Sequence, residues 1–149
     1  MNFWEQVTNN QMLNVVFLAW FIAQTAKVII VLMTTKKIDF KRFISAGGMP
    51  SSHASTVVAL TTCIAKAPSG YESVEFALAF VFSIIVMYDA AGVRRAAGKQ
   101  AEILNKLVLE WQIHDDKYRE VKLKELLGHT PVEVFVGAAL GFAIAMMLY

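Results

Sequence analysis

The sequence predicts an all-α fold, an integral membrane helical bundle with about four transmembrane helices and a cytoplasmic amphipathic helix. Three observations carry this prediction. Apolar residues make up 56% of the 149-residue chain, above the roughly 45–50% usual for soluble domains. The mean hydropathy is +0.49. The charges are segregated, crowding into Lys36–Arg42 and Arg94–Glu125 and nearly absent elsewhere. Spans joined by solvated loops have that pattern, whereas a soluble bundle laces charge along every helix. A chain of this length is one domain, residues 1–149.

The first span, about 12–33, is interrupted only by Asn14, Gln24 and Lys27. Some 20 mainly apolar residues cross a bilayer. The first residues, Asn2, Trp4, Glu5 and Gln6, lack the basic stretch of a cleavable signal peptide, so this span reads as retained. The second span, about 51–67, and the third, about 74–92, are shorter and contain His53 and Asp89. A helical segment of about 96–127 follows, in which Ala97, Ala101, Leu104, Val108 and Trp111 recur at steps of three and four. That spacing predicts an amphipathic helix lying against the membrane or the bundle. His114-Asp115-Asp116-Lys117 breaks it, and a second short helix, Lys122 to Leu127, stops at Gly128. The last span, about 131–149, is rich in glycine and alanine and ends on Tyr149.

Orientation follows from the basic residues. Four lie between Thr34 and Pro50 and eight between Val93 and Thr130, against none in residues 1–11 and one between Lys66 and Ser73. Four spans then place both termini outside and both basic loops in the cytoplasm of a bacterial plasma membrane. The net charge of +2 is too small to argue for nucleic acid. Cys63, the single cysteine, lies in an apolar run and offers neither an intramolecular disulfide nor a thiolate metal site. No cofactor and no metal are expected.

Two histidines stand beside prolines at the mouths of apolar segments, in Gly47-Gly48-Met49-Pro50-Ser51-Ser52-His53 and in Gly128-His129-Thr130-Pro131-Val132-Glu133. Both fall on the predicted cytoplasmic face. Proline suits the first turn of a helix, and a helix N-terminus offers unpaired N–H groups and positive dipole to an anion such as phosphate. Ser51 and Ser52 can cap the second span and donate hydroxyls to an oxyanion, and His53 can protonate a leaving oxygen. His129 and Glu133 share a helix face at i, i+4, where a carboxylate on one ring nitrogen leaves the other free to attack. Each motif taken alone also reads as plain helix capping. Asp89, an acid inside an apolar run, needs a basic or histidine partner. Arg94 and Arg95 read either as phosphate ligands or as positive-inside anchors. Lys27 either snorkels to the interface or points into the site, and Arg42 is the loop cation nearest the glycine turn.

Pro50-Ser51-Ser52-His53 resembles the second motif, Pro-Ser-Gly-His, of the type 2 phosphatidic acid phosphatase superfamily, which includes vanadium-dependent haloperoxidase relatives. His129-x-x-x-Glu133 resembles the end of its third motif, His-x-x-x-Asp. The chain is closest to the divergent branch, a set of small bacterial and plastid membrane proteins. Its marks are the glycine-led motif at Gly47–His53, then Asp89-x-x-Gly92-Val93-Arg94-Arg95-x-x-Gly98-x-Gln100-Ala101-x-x-Leu104-Asn105, then Gly128-His129-Thr130-Pro131-x-Glu133-Val134. The resemblance implies His129 as the nucleophile that forms a phosphohistidine, His53 as the proton donor and metal-independent chemistry. Three departures stand out. Arg42 is followed by Phe43 where the first motif has proline, Leu123 replaces an arginine before the third motif, and Glu133 replaces aspartate. Phosphate ligation must then be rebuilt from Arg42, Arg94 and Arg95 with Lys27.

The expected function is a membrane phosphatase acting on a phosphomonoester or diphosphate of a lipid, of phosphatidate, phosphatidylglycerophosphate or prenyl phosphate type. The alternative is a non-catalytic membrane protein that binds anionic lipid headgroups through the same residues. Expected partners are the lipid phosphate, the bilayer and a second copy in a homodimer, since four short spans are few to enclose a deep site.

Overall fold

The computed structural model describes residues 2–36, 43, 47–112 and 128–149. Arg42, Leu123, the break at 114–117 and the short helix at 122–127 lie outside them, as do the side chains of Arg94 and Trp111. Among the described residues every regular element is helical. A short helix α1 (Phe3–Thr8) opens the chain, and α2 (Gln11–Thr35) follows. Then come α3 (Ser52–Lys66), a single 3-10 turn (Gly70–Glu72), α4 (Val74–Ala91), α5 (Val93–Gln112) and α6 (Pro131–Leu148).

The helix starts are written in the sequence. Asn2 and Glu5 cap α1 reciprocally, and Asn10, Ser51 and Ser73 accept from the first-turn amides of α2, α3 and α4. Thr130 and Glu133 form the same reciprocal box around Pro131 at the start of α6. The α2 helix ends at Lys36, which takes a left-handed conformation with φ 55°.

Among the described residues three helices are long and apolar enough to cross a membrane: α2, α4 running on into α5 as far as Val108, and α6. The fourth stretch read as a span, α3, has only 15 residues, about 22 Å of helix. It is the central helix of the bundle, packed against α2, α4 and α6, while α2 and α4 do not touch each other.

The shortness of α3 has a structural reason: it begins inside the bundle. Its first residue pairs with Lys27, which has eight further residues of α2 beyond it, about 12 Å. On the other side, the Ser51 carbonyl lies against Gly137, six residues into α6. One turn further, the Ser55 carbonyl lies against Gly141. A Cβ at either glycine would run into the α3 backbone, so the small pair four residues apart sets the approach of the two helices. At the far end, the Lys66 ammonium donates to the Met146 carbonyl at 3.1 Å, bringing α3 and α6 level.

The half of the bundle away from the head of α3 is an apolar core of Val15, Ala19, Ala59, Cys63, Ile144 and Ala145. Its polar groups are paired. Thr61 and Ser83 hydroxyls bond each other at 2.7 Å, and Ser83 also donates to the Val57 carbonyl at 3.0 Å. The α5 helix continues from α4 across Gly92, and its buried positions are not those the apolar spacing predicts. Its buried positions are Gly98 and Asn105, with Ala101, Glu102 and Val108 half-buried. Leu104, expected on the packed stripe, is 47% exposed, and Ile103 and Leu107 are exposed with it. The stripe therefore does not coincide with the buried positions of α5.

Candidate active site

The recessed start of α3 brings together side chains from three parts of the chain. Gly48, at φ 95°, and a cis Met49–Pro50 peptide carry the backbone into Ser51. The Ser51 amide donates to the Glu133 carbonyl at 2.9 Å, which fastens the head of α3 to the first turn of α6. The Ser51 hydroxyl accepts from the Ala54 amide at 3.3 Å as the helix cap. The Ser52 hydroxyl accepts from the Lys27 ammonium at 3.1 Å. Lys27 is 2% exposed, so its ammonium is held within the protein, beside the positive end of α3, and does not snorkel to the interface. Two positive features at one point favour an anion there.

The His129 segment is fastened as firmly. Its amide donates to the Ala90 carbonyl in the last turn of α4 at 3.0 Å. Its Nδ1 lies 3.0 Å from the Glu133 Oε2, which also accepts from the Thr130 amide at 3.1 Å. A carboxylate can only accept, so Nδ1 carries the proton and Nε2 presents its lone pair. His129 is 1% exposed, and Nε2 is buried with no hydrogen-bond partner among the described residues. Its ring stands edge-on to that of His53, with centroids 5.7 Å apart. Burial pushes the His129 imidazole below its ordinary range; the nearby Lys27 ammonium adds to this, while Glu133 and the Gly48 backbone pull the other way. The ring is thus neutral near pH 7.

Of the residues singled out from the sequence, Lys27, Ser51, Ser52, His53, His129 and Glu133 gather at this point. Asp89 stands half-buried beside the Ala90 carbonyl that receives the His129 amide. Arg95 is half-buried in the first turn of α5, and Arg94 shares that turn. Among the described residues no group of three or more His, Cys, Asp or Glu could hold a metal ion.

One buried polar residue of α2 carried no role in the sequence reading. Gln24, one turn before Lys27, is 5% exposed, and its Oε1 is buried without a partner among the described residues. A polar residue three positions from a lysine in an apolar span is the signal that points to it.

The arrangement supplies an oriented neutral imidazole, a second imidazole within reach, a buried ammonium and a helix N-terminus. That set suits transfer of a phosphoryl group to a histidine nitrogen. No solved structure matches the chain. It is 43% identical over 136 residues, 85% of either chain, to a protein of Bacillus subtilis (strain 168) described as the uncharacterized membrane protein YuiD. The profile of the Divergent PAP2 family matches residues 8–144, and the chain belongs to that family of membrane proteins.

Proposed function

We propose that this protein is a lipid phosphate phosphatase that works through a phosphohistidine. The carrying observation is the state of His129: buried, held at Nδ1 by Glu133, with no hydrogen-bond partner at Nε2 among the described residues, and with its ring edge-on to that of His53. In the first step Nε2 attacks phosphorus and the ester P–O bond breaks, and His53 gives its proton to the departing alcohol oxygen. In the second, water attacks the phosphohistidine, His53 takes the water proton, and the P–N bond breaks to release phosphate. Lys27 and the head of α3 balance charge on the phosphoryl oxygens. Arg42, Arg94 and Arg95 are the further phosphate ligands in this reading, and Asp89 steadies the α4 end of the site. The bundle lets an acyl or prenyl chain stay in the bilayer while its phosphate enters.

The site faces the cytoplasm in this proposal, with Asn2 and Tyr149 outside, on the strength of the basic loops. An impermeant thiol reagent on intact cells should leave a cysteine at Gly128, in a Cys63→Ser background, unlabelled. Labelling there would reverse the orientation.

Phosphate release from phosphatidate, phosphatidylglycerophosphate and prenyl phosphates by the purified protein tests the activity. Release that survives chelators is expected. Binding of the same lipids without release would establish the non-catalytic headgroup binder instead.

A further inference from the structure

A phosphate held at the recessed head of α3 lies inside the bundle, so a hydrocarbon chain attached to it must leave through an open side. The α6 helix closes two sides. It shares the apolar core with α2, where Val16 and Ile22 pack. It meets α4 near the site, where Val134 and Ala138 pack with Ala90, Met87 and Ala91. The remaining side of α3 lies between α2 and α4, which do not touch each other among the described residues.

The helix surfaces agree with this opening. At about 100° per residue, His53, Thr56, Leu60 and Ile64 form one row along α3, across the helix from the Ser51 and Ser55 carbonyls that meet α6. All four are half-buried, and Leu60 and Ile64 belong to neither apolar cluster of the bundle. The Thr56 hydroxyl donates to the Ser52 carbonyl at 2.7 Å, so the row beyond His53 offers an apolar surface. On α4, Val86 and Met87 flank Ser83, which donates to α3. Met87 takes the α6 side, which leaves the half-buried Val86 on the open side. On α2, Ile22 takes the α6 side, and Trp20 lies about 160° round from it. The Phe43 ring rests on Trp20 and Phe21, with centroids 5.9 Å apart in both pairs, and adds an aromatic to this wall. The result is a groove that starts at His53 and runs about 16 Å along α3 to Ile64.

We infer that this groove binds one hydrocarbon chain of the substrate, laid lengthwise along α3 from His53 toward Ile64. This rests on the lipid phosphate reading of the adjoining site. Continuity with that site selects the occupant: a chain whose phosphate sits beside His53 and Lys27 enters the groove directly. A floor formed by one row of side chains takes one chain, and the second chain of a diacyl lipid stays among the surrounding lipids.

Hexadecyl phosphate with a diazirine at mid-chain tests the groove. It is photolysed with His129→Ala protein in lipid nanodiscs, so that turnover plays no part. The label that excess hexadecyl phosphate displaces, and hexadecanol does not, should map to residues 56–64. Leu60→Trp fills the groove; it should remove that label and weaken hexadecyl phosphate binding about tenfold, with butyl phosphate binding unchanged. The map on protein with Leu60 intact decides the matter if Leu60→Trp does not fold. Displaceable label confined to other segments, or label that hexadecanol displaces equally, would overturn the assignment. So would a disulfide-linked pair on oxidation of Leu60→Cys in a Cys63→Ser background, which would put a second copy over the groove. Binding of neither alkyl phosphate would discard the groove and the lipid phosphate reading together. Binding without displaceable label at 56–64 would discard the groove alone, and phosphate release by the wild-type protein judges the hydrolysis separately.

Discussion

The two ends of α3 treat polar side chains in opposite ways. Toward its C-terminal half, hydroxyls are spent on the bundle itself: Thr61 on Ser83 and the Ala79 carbonyl, Ser83 on the Val57 carbonyl, Thr62 on the Val58 carbonyl. At its N-terminus, Lys27 and Ser52 hold one another, while His129 Nε2 and Gln24 Oε1 are buried with no partner among the described residues. Paired hydroxyls join helices in a membrane and are worth little each. Buried groups left unsatisfied are costly, and their cost is offset when a ligand binds. The polar content of the apolar stretches therefore divides into groups that hold the bundle and groups that, in the proposed reading, meet the substrate.

Substitutions at the two ends should separate accordingly. After His129 itself, the largest effect is expected at His53. Its replacement by alanine should cost about 10²–10⁴ in phosphate release from lipids with poor leaving groups. It should cost far less with an aryl phosphate, whose leaving group needs no proton. An equal loss on both would remove His53 from the donor role. Lys27→Met places an apolar side chain in the same buried position and removes the charge beside Ser52. It should lower turnover by about 10²–10³ while the protein stays folded. Unchanged turnover would leave Lys27 a packing residue.

The pH dependence sharpens the same contrast. Because burial depresses the His129 imidazole, the acid limb of the activity profile should lie below the ordinary histidine value of about 6.5. Glu133 raises that imidazole, so Glu133→Gln should lower activity and move the acid limb to still lower pH. A limb that moves upward would contradict the arrangement. By linkage, His129 takes no proton in the folded state where the unfolded chain already does, so stability should fall as pH drops below that ordinary value.

At the other end of α3, Ser83→Ala should cost about 0.6 kcal/mol of stability and leave turnover as it was. A loss of activity there would mean that the two ends are not separate in function.

Much of the fold is legible in the sequence because bilayers demand long apolar runs and helices demand caps. Ser51, Ser73 and the Thr130-Pro131-Glu133 group announce their helix starts, and the runs after them announce the bundle. The depth of α3 is not legible. It depends on Gly137 and Gly141 meeting the Ser51 and Ser55 carbonyls, and composition alone does not say which neighbour a glycine faces. The buried positions of α5 mislead for a related reason, since Gly98 and Asn105 carry no hydropathy signal.

For the candidate site, the pairing of His129 with Glu133 follows from i, i+4 spacing, because one helix turn fixes both. The meeting of Lys27 with Ser52, 25 residues apart, follows from nothing local. It needs α2 and α3 to pack antiparallel with α3 recessed. Gln24 stays silent in the sequence because an amide in an apolar span reads as an interruption until its surroundings are known.

The central claim is that His129 Nε2 is the atom that attacks phosphorus. Rapid acid-free quenching of the protein turning over a radiolabelled lipid phosphate, followed by peptide mapping, tests it most directly. The expected result is label bound through an acid-labile, base-stable linkage on the peptide containing His129, with neither label nor phosphate release in His129→Ala. Phosphate release that continues in His129→Ala, or label that maps to another residue, would contradict it.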